Sequence, residues 1–164
     1  MNNKIVLFII VIVVAGGLGA YLLSSSDNEN DNIESEVMSQ KIEWRQYTND
    51  FYGYTVSYPG SWVLESNSSN GDSITFFDSS DFREELTIAV ADPEVETIIR
   101  ETLSITKETE IEVAGYKTVK MTGKESEGGD ITNIVILRLS ERLFYIVGPT
   151  VKFDEIVSTF KFNN

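Results

Sequence analysis

The chain has 164 residues and a net charge of −13, from 26 acidic against 13 basic side chains, a balance that disfavours binding to nucleic acid and to anionic lipid through a basic patch. It contains no cysteine and no histidine, which excludes disulfides, thiolate and imidazole metal sites, an acylated lipoprotein cysteine, and the Ser-His-Asp and Cys-His machines. The length allows one membrane-length apolar run and a single domain.

Residues 1–4 are a short polar start ending in Lys4, and from Ile5 to Leu23 no residue is charged. A helix rising about 1.5 Å per residue crosses the hydrocarbon core in roughly 20 residues, so 5–23 reads as a transmembrane helix. Lys4 on one flank and only acids in "SSSDNENDNIESE" on the other place the N-terminus in the cytoplasm and the rest outside, by the positive-inside rule. The rival reading is a signal peptide, with Ile5 to Val14 as its apolar region and Ala15 and Gly17 before a cleavage site, which gives a secreted domain. The apolar run continues through Leu18, Tyr21, Leu22 and Leu23, which favours an uncleaved anchor. "GGLGA" (Gly16 to Ala20) lies inside this run, where small residues aid helix packing. No Gly-Lys-Ser/Thr follows it, so it is not a phosphate loop.

Residues 24–41 carry Asp27, Glu29, Asp31, Glu34 and Glu36 with few apolar residues, the composition of a solvated, disordered tether. The domain spans 42–164 and keeps 21 acidic and 11 basic residues, a net charge near −10.

"EWRQYTND" reads as a first short strand. In "YGYTVSYPGSW", Tyr52, Tyr54, Val56 and Tyr58 alternate with Gly53, Thr55 and Ser57, the period of a half-buried strand. Pro59-Gly60 suits the centre of a type II turn, so the run reads as a hairpin returning through Trp62 and Leu64. "SITFF" and "LTIAV" are short strands around a polar loop "DSSDFREE". In "DPEVETIIRETL", Asp92 is a candidate N-cap and Pro93 a first helical residue, with Val95, Ile98, Ile99 and Leu103 on one face. Two alternating runs meet at Ala114-Gly115. "ITNIVILRL" and "LFYIVG" are apolar on both faces and predict central strands covered on both sides. The spacing of Phe153, Ile156, Val157 and Phe160 predicts a terminal helix opening near Thr150. Seven or eight strands with two helices make an α+β fold: an antiparallel β-sheet with helices packed on both faces, an α/β/α sandwich.

The order of "YTNDFYGYTVSYPGSW", "VAGYKTVKMTG" and "FDEIVSTFKF" over roughly Trp44 to Phe162 resembles the PsbP-like superfamily, which includes the extrinsic PsbP subunit of photosystem II, the Ran-binding Mog family and many membrane-anchored bacterial exported domains. Members with a described role are mostly non-catalytic and dock on a larger protein. The resemblance therefore implies an accessory or binding module, not an enzyme, with an envelope protein as partner. The metal-linked histidines of plant PsbP have no counterpart here, and no family site residue carries over.

Asp78, Asp81, Glu84 and Glu85 cluster in "DSSDFREE" and offer oxygens for a calcium site, without the EF-hand spacing or its turn glycine. That cluster, or a pocket between sheet and helix, defines the alternative reading of an exported small-ligand or calcium-binding domain. A histidine-free hydrolase ranks last. Its one S-x-x-K, Ser104 to Lys107, lacks a companion K-T-G and follows a helix instead of opening one. "NSS" at Asn67 matches a glycosylation triplet that chance also supplies. No cofactor is implied. Trp44, Tyr47 and Phe82 are the aromatics least explained by strand period, and they form the expected partner patch.

Overall fold

The computed structural model describes residues 42–124 and 129–163. The expected anchor and tether lie outside the described residues. Ten strands and two helices follow one another: β1 (Trp44–Asn49), β2 (Tyr54–Pro59), β3 (Val63–Ser66), β4 (Ser73–Asp78), β5 (Asp81–Ala91), α1 (Val95–Thr102), β6 (Ser104–Val113), β7 (Tyr116–Lys124), β8 (Ile131–Leu139), β9 (Arg142–Gly148), α2 (Phe153–Ser158) and β10 (Lys161–Phe162). They form two antiparallel sheets, a three-stranded one ordered β1-β2-β10 and a seven-stranded one ordered β3-β4-β5-β9-β8-β7-β6.

The two sheets correct the hairpin reading of "YGYTVSYPGSW". β2 pairs with β1, from Trp44↔Pro59 to Asn49↔Tyr54, while β3 pairs with β4 in the other sheet. The Trp62 N–H donates to the Pro59 carbonyl at 3.0 Å, so the turn is centred on Gly60-Ser61, and the Gly60 N–H donates to the Glu43 carbonyl at 2.6 Å. The segment is a crossover between sheets because β1 and β10 already occupy the edges of β2. Trp62 still turns inward, as its period requires, and is buried.

The central strands behave as their two-faced apolarity demands. Val135 and Leu137 of β8 and Phe144 and Ile146 of β9 join one core with Ile74, Phe76, Leu86 and Ile88. Tyr54, Val56 and Tyr58 of β2 and Phe153, Ile156 and Val157 of α2 cover that core. The alternate residues Ile134, Ile136 and Leu143 face a second core with Met121, closed by Ile99 and Leu103 at the α1 side. Each fully buried large apolar side chain contributes about 1.5–3 kcal/mol. α2 is far too short to hold as an isolated helix, so its three buried residues supply its stability.

Several local expectations are revised. α1 begins at Val95, its Asp92 side chain makes no cap hydrogen bond, and Ile98 is 48% exposed. Ile99, with Leu103 just past the end of the helix, seats so short an element, and Ile98 stays off its packed face. "DSSDFREE" is a loop only at Ser79-Ser80, since β5 starts at Asp81 and pairs back on Asp78. The terminal helix stops at Ser158, and the chain then extends to add β10 to β2 through Lys161↔Thr55 and Phe162↔Tyr54. Phe160 remains buried between them. Ala114 and Gly115 both have positive φ, 52° and 82°, which makes their two-residue connection of β6 and β7 a type I′ turn.

Two constraints yield tests. A Cβ on Gly148 would stand 2.3 Å from the Glu85 carbonyl oxygen, closer than any atom there can yield, because that oxygen belongs to strand backbone. Gly148→Ala should cost about 1–3 kcal/mol, read as a fall in denaturation midpoint. The second constraint ties α1 to the sheet: Glu96 accepts from Arg100 Nε at 3.0 Å and from Arg138 Nε at 2.7 Å. Burial pushes the Glu96 carboxyl up, but the hydrogen bonds and charges of the two arginines outweigh it and hold it below its ordinary value. A carboxylate whose folded pKa is lowered contributes stability above its unfolded pKa and loses it as pH falls through the folded one. Wild type should therefore exceed Glu96→Gln in stability at pH 7, and denaturation curves of the two should converge below the carboxylate range.

Candidate functional site

Three turns and the last strand meet at one end of the domain. Phe51 and Tyr52 come from the β1–β2 turn, Tyr116 follows the β6–β7 turn, Arg142 follows the β8–β9 turn, and Phe162 ends β10. Their rings form an edge-to-face row around Phe144. Centroids lie 4.8 Å apart for Phe51–Tyr52, 6.3 Å for Tyr52–Phe144, 5.2 Å for Phe144–Phe162 and 5.8 Å for Phe162–Tyr116. All four contacts are steep, with interplanar angles from 79° to 90°, the arrangement in which a ring edge meets a ring face. The Arg142 guanidinium sits 5.2 Å above the Tyr52 ring. The row is buried at Phe144 and emerges at both ends, where Phe51 is 61% and Tyr116 46% exposed. β1 runs toward this end from Trp44, about 17–20 Å away along the strand.

A polar latch fixes the turn that carries Phe51 and Tyr52. Asn49 is buried, donates from Nδ2 to the Gly71 carbonyl at 3.0 Å, and accepts the Tyr52 N–H on Oδ1 at 2.9 Å. The Gly53 N–H closes the turn on the Asn49 carbonyl at 2.8 Å. The Tyr52 hydroxyl donates to Asp72 Oδ1, and the Asp72 carbonyl receives the Val90 N–H at 2.8 Å. The small sheet is thus tied to the large one. Burial raises the Tyr52 phenol first, Asp72 adds to the rise, and Arg142 opposes it. Tyr54 is sealed in the core and its hydroxyl has no hydrogen-bond partner among the described residues. Asn49 lies near it but commits its amide to Gly71 and Tyr47, and burial pushes the Tyr54 phenol far up.

The expected partner patch is not one surface. Trp44 and Tyr47 are three residues apart on an extended strand and so point to opposite faces of β1. Trp44 is 38% exposed, whereas Tyr47 packs its ring edge on Phe76 at 5.8 Å and receives Asn49 Nδ2 at 3.3 Å. Phe82 lies in β5, and its side chain is outside the described residues.

The acidic cluster is likewise dispersed. Asp78 accepts the Ser80 N–H at 2.9 Å and its hydroxyl at 2.6 Å, interactions that lower its pKa, and Asp81 accepts the Arg83 N–H at 3.0 Å. Glu84 accepts Thr150 Oγ1 at 2.5 Å and Lys152 Nζ at 3.1 Å. Glu85 follows Glu84 in β5 and points to the other face. Among the described residues no group of three or more acids stands ready to hold a metal ion. Ser104 opens β6 and faces Lys124 across the ladder.

Sequence reading missed Phe51, Tyr116, Arg142 and Phe162 as a group. Phe51 carries the one available signal: a large apolar residue at a turn, outside the strand alternation. The other three are ordinary strand residues until the turns are brought together.

No family model and no curated protein matches the chain. Solved structures do. The solution structure of cyanobacterial PsbP (CyanoP) from Synechocystis sp. PCC 6803 superposes with a TM-score of 0.55 at 13% identity, over 74% of this chain and 93% of that one. A 1.50 Å crystal structure from Bacteroides thetaiotaomicron VPI-5482 superposes with a TM-score of 0.51 at 12% identity, over 73% of this chain and 48% of that longer one. The fold is PsbP-like: antiparallel sheets with two helices.

The latch separates two neighbouring tyrosines. Tyr52→Phe should cost about 1.5–3 kcal/mol by removing a donor from a carboxylate. Tyr54→Phe should leave stability unchanged or raise it, because it deletes a buried hydroxyl without a partner. Paired urea denaturation curves check both.

Proposed function

We propose that this chain is a non-catalytic, membrane-anchored, extracytoplasmic binding module that docks on a protein partner through the aromatic end of its domain. The observation that carries the reading is the row Phe51–Tyr52–Phe144–Phe162–Tyr116 with Arg142 stacked on it. Aromatic and arginine side chains are the types that dominate interface energetics, and this set is held rigid by the latch behind it. A protein surface fits better than lipid. The domain carries a net charge near −10 and would be repelled by an anionic bilayer.

Anchoring rests on the uncharged run from Ile5 to Leu23. Among the described residues no helix is long and apolar enough to cross a membrane. The accessory role rests on the PsbP-like fold, whose described members mostly dock instead of catalysing.

Full-length chain, solubilised from membranes and used as bait, should retain one envelope protein that Phe51→Ala/Arg142→Ala loses while keeping its circular dichroism and melting temperature. Retention unaffected by the double variant would remove the aromatic end from the reading. Topology has its own test, since the chain has no cysteine. A Ser61→Cys variant should react with a membrane-impermeant maleimide in intact cells, and labelling only after lysis would place the domain inside.

A further inference from the structure

The seven-stranded sheet is not continuous. β7 and β8 pair from Lys124↔Ile131 only as far as Lys120↔Val135. Beyond that point β7 stays paired to β6 up to Val113↔Tyr116, and β8 stays paired to β9 up to Leu139↔Arg142. No ladder pair joins Tyr116–Val119 to Ile136–Leu139. The stretch is bridged by a side chain, with Thr118 Oγ1 donating to the Ile136 carbonyl at 2.5 Å. An opening of about 250 Å³ occupies the seam, walled by Lys117, Val119, Ile136 and Arg138 and closed at one side by Glu96 and Arg100 of α1.

The sequence supplies a cause. Continuing the register Lys120↔Val135 sets Lys117 directly opposite Arg138, on the face that carries α1. Like charges directly opposite in a ladder repel. The next same-face step inward sets Val119 opposite Ile136, an apolar floor. Alternation from the two-residue turns that flank the open end of the seam, one on each strand, directs the main-chain groups of Lys117 and Arg138 into it. Lys117 makes no ion pair among the described residues, and Arg138 has donors left beyond the Nε that binds Glu96.

We infer that the seam between β7 and β8 is a peptide slot, which takes an extended segment of about four residues from a protein partner by strand addition and reads an acidic side chain two positions from a β-branched one. The acid sits between Lys117 and Arg138 and cancels their repulsion. The β-branched residue covers Val119 and Ile136. The peptide main chain meets the strand edges that the two cations keep apart. The slot adjoins the aromatic end at Tyr116, which lines both, whereas Phe51 and Arg142 do not line it.

A phage-displayed library of random dodecapeptides, panned on the purified full-length chain, tests this. Expected winners carry Asp or Glu two positions from Val or Ile. A synthetic winner should bind at least tenfold more weakly when its acid is changed to lysine, and at least tenfold more weakly to Lys117→Glu, which closes the seam by placing opposite charges across it. Its affinity for Phe51→Ala should equal that for wild type. Amide exchange gives a second readout: Lys117, Val119 and Arg138 should exchange faster than Met121 in the free chain and be protected by the peptide. Winners without the acid, binding that survives Lys117→Glu, or seam amides already as protected as Met121 would each overturn the slot. None of these results bears on retention of a partner by Phe51→Ala/Arg142→Ala, so the two readings fail separately.

Discussion

Strands β8 and β9 carry apolar side chains on both faces, and the rest of the domain is arranged to cover them. One face, through Val135, Leu137, Phe144 and Ile146, needs a wide lid, which β2, α2 and Trp62 provide together. The other, through Ile134, Ile136 and Leu143, needs less, and two buried residues at α1 suffice. The asymmetry follows from the residues available. Tyr54, Val56, Tyr58, Phe153 and Phe160 are bulky enough to fill a thick layer, whereas Ile99 and Leu103 fill a thin one. The second sheet exists because β2 must lie over the first face, and from there it cannot hydrogen-bond to the strands beneath. Its edges are satisfied instead by β1 and β10.

Covering the core in this way fixes what is left at the surface. Because β10 ends on β2 and the β1–β2 turn projects past Phe144, aromatic side chains from distant positions become neighbours at one end. The latch of Asn49, Tyr52 and Asp72 holds that end to the large sheet and so fixes the turn that carries the exposed rings. At the other side of the sheet, Glu96 draws Arg138 and Arg100 toward α1. The same contacts leave the β7–β8 seam flanked by positive charge on a chain whose surface is otherwise acidic.

How much was legible depended on whether the signal was local. The two-faced apolarity of "ITNIVILRL" and "LFYIVG" gave the central strands, and positive φ at Ala114-Gly115 matches the turn expected there. "YGYTVSYPGSW" misled because a turn sequence reports that the chain bends, not which sheet it enters next. β10 was hidden because Phe160 fits helical spacing, although the helix ends at Ser158 and Phe160 is buried after it. At the site, Trp44 and Tyr47 seemed a pair by proximity in sequence, yet three residues of extended chain turn them to opposite faces. The charges of "DSSDFREE" were plain, but their partners Thr150 and Lys152 sit far along the chain.

The sequence by itself determined the acidity, the absence of histidine and cysteine chemistry, the apolar run from Ile5 to Leu23, and which faces of which strands must be buried. These follow from composition and from the periods of two and 3.6 residues, both properties of short stretches. The tertiary structure alone decided the division into two sheets, the meeting of Phe51, Tyr116, Arg142 and Phe162, and the parting of β7 from β8 beyond Lys120 and Val135. Each depends on which distant segments come together, and that choice is made by the shared need to bury both faces of the central strands, which no single stretch of chain can express.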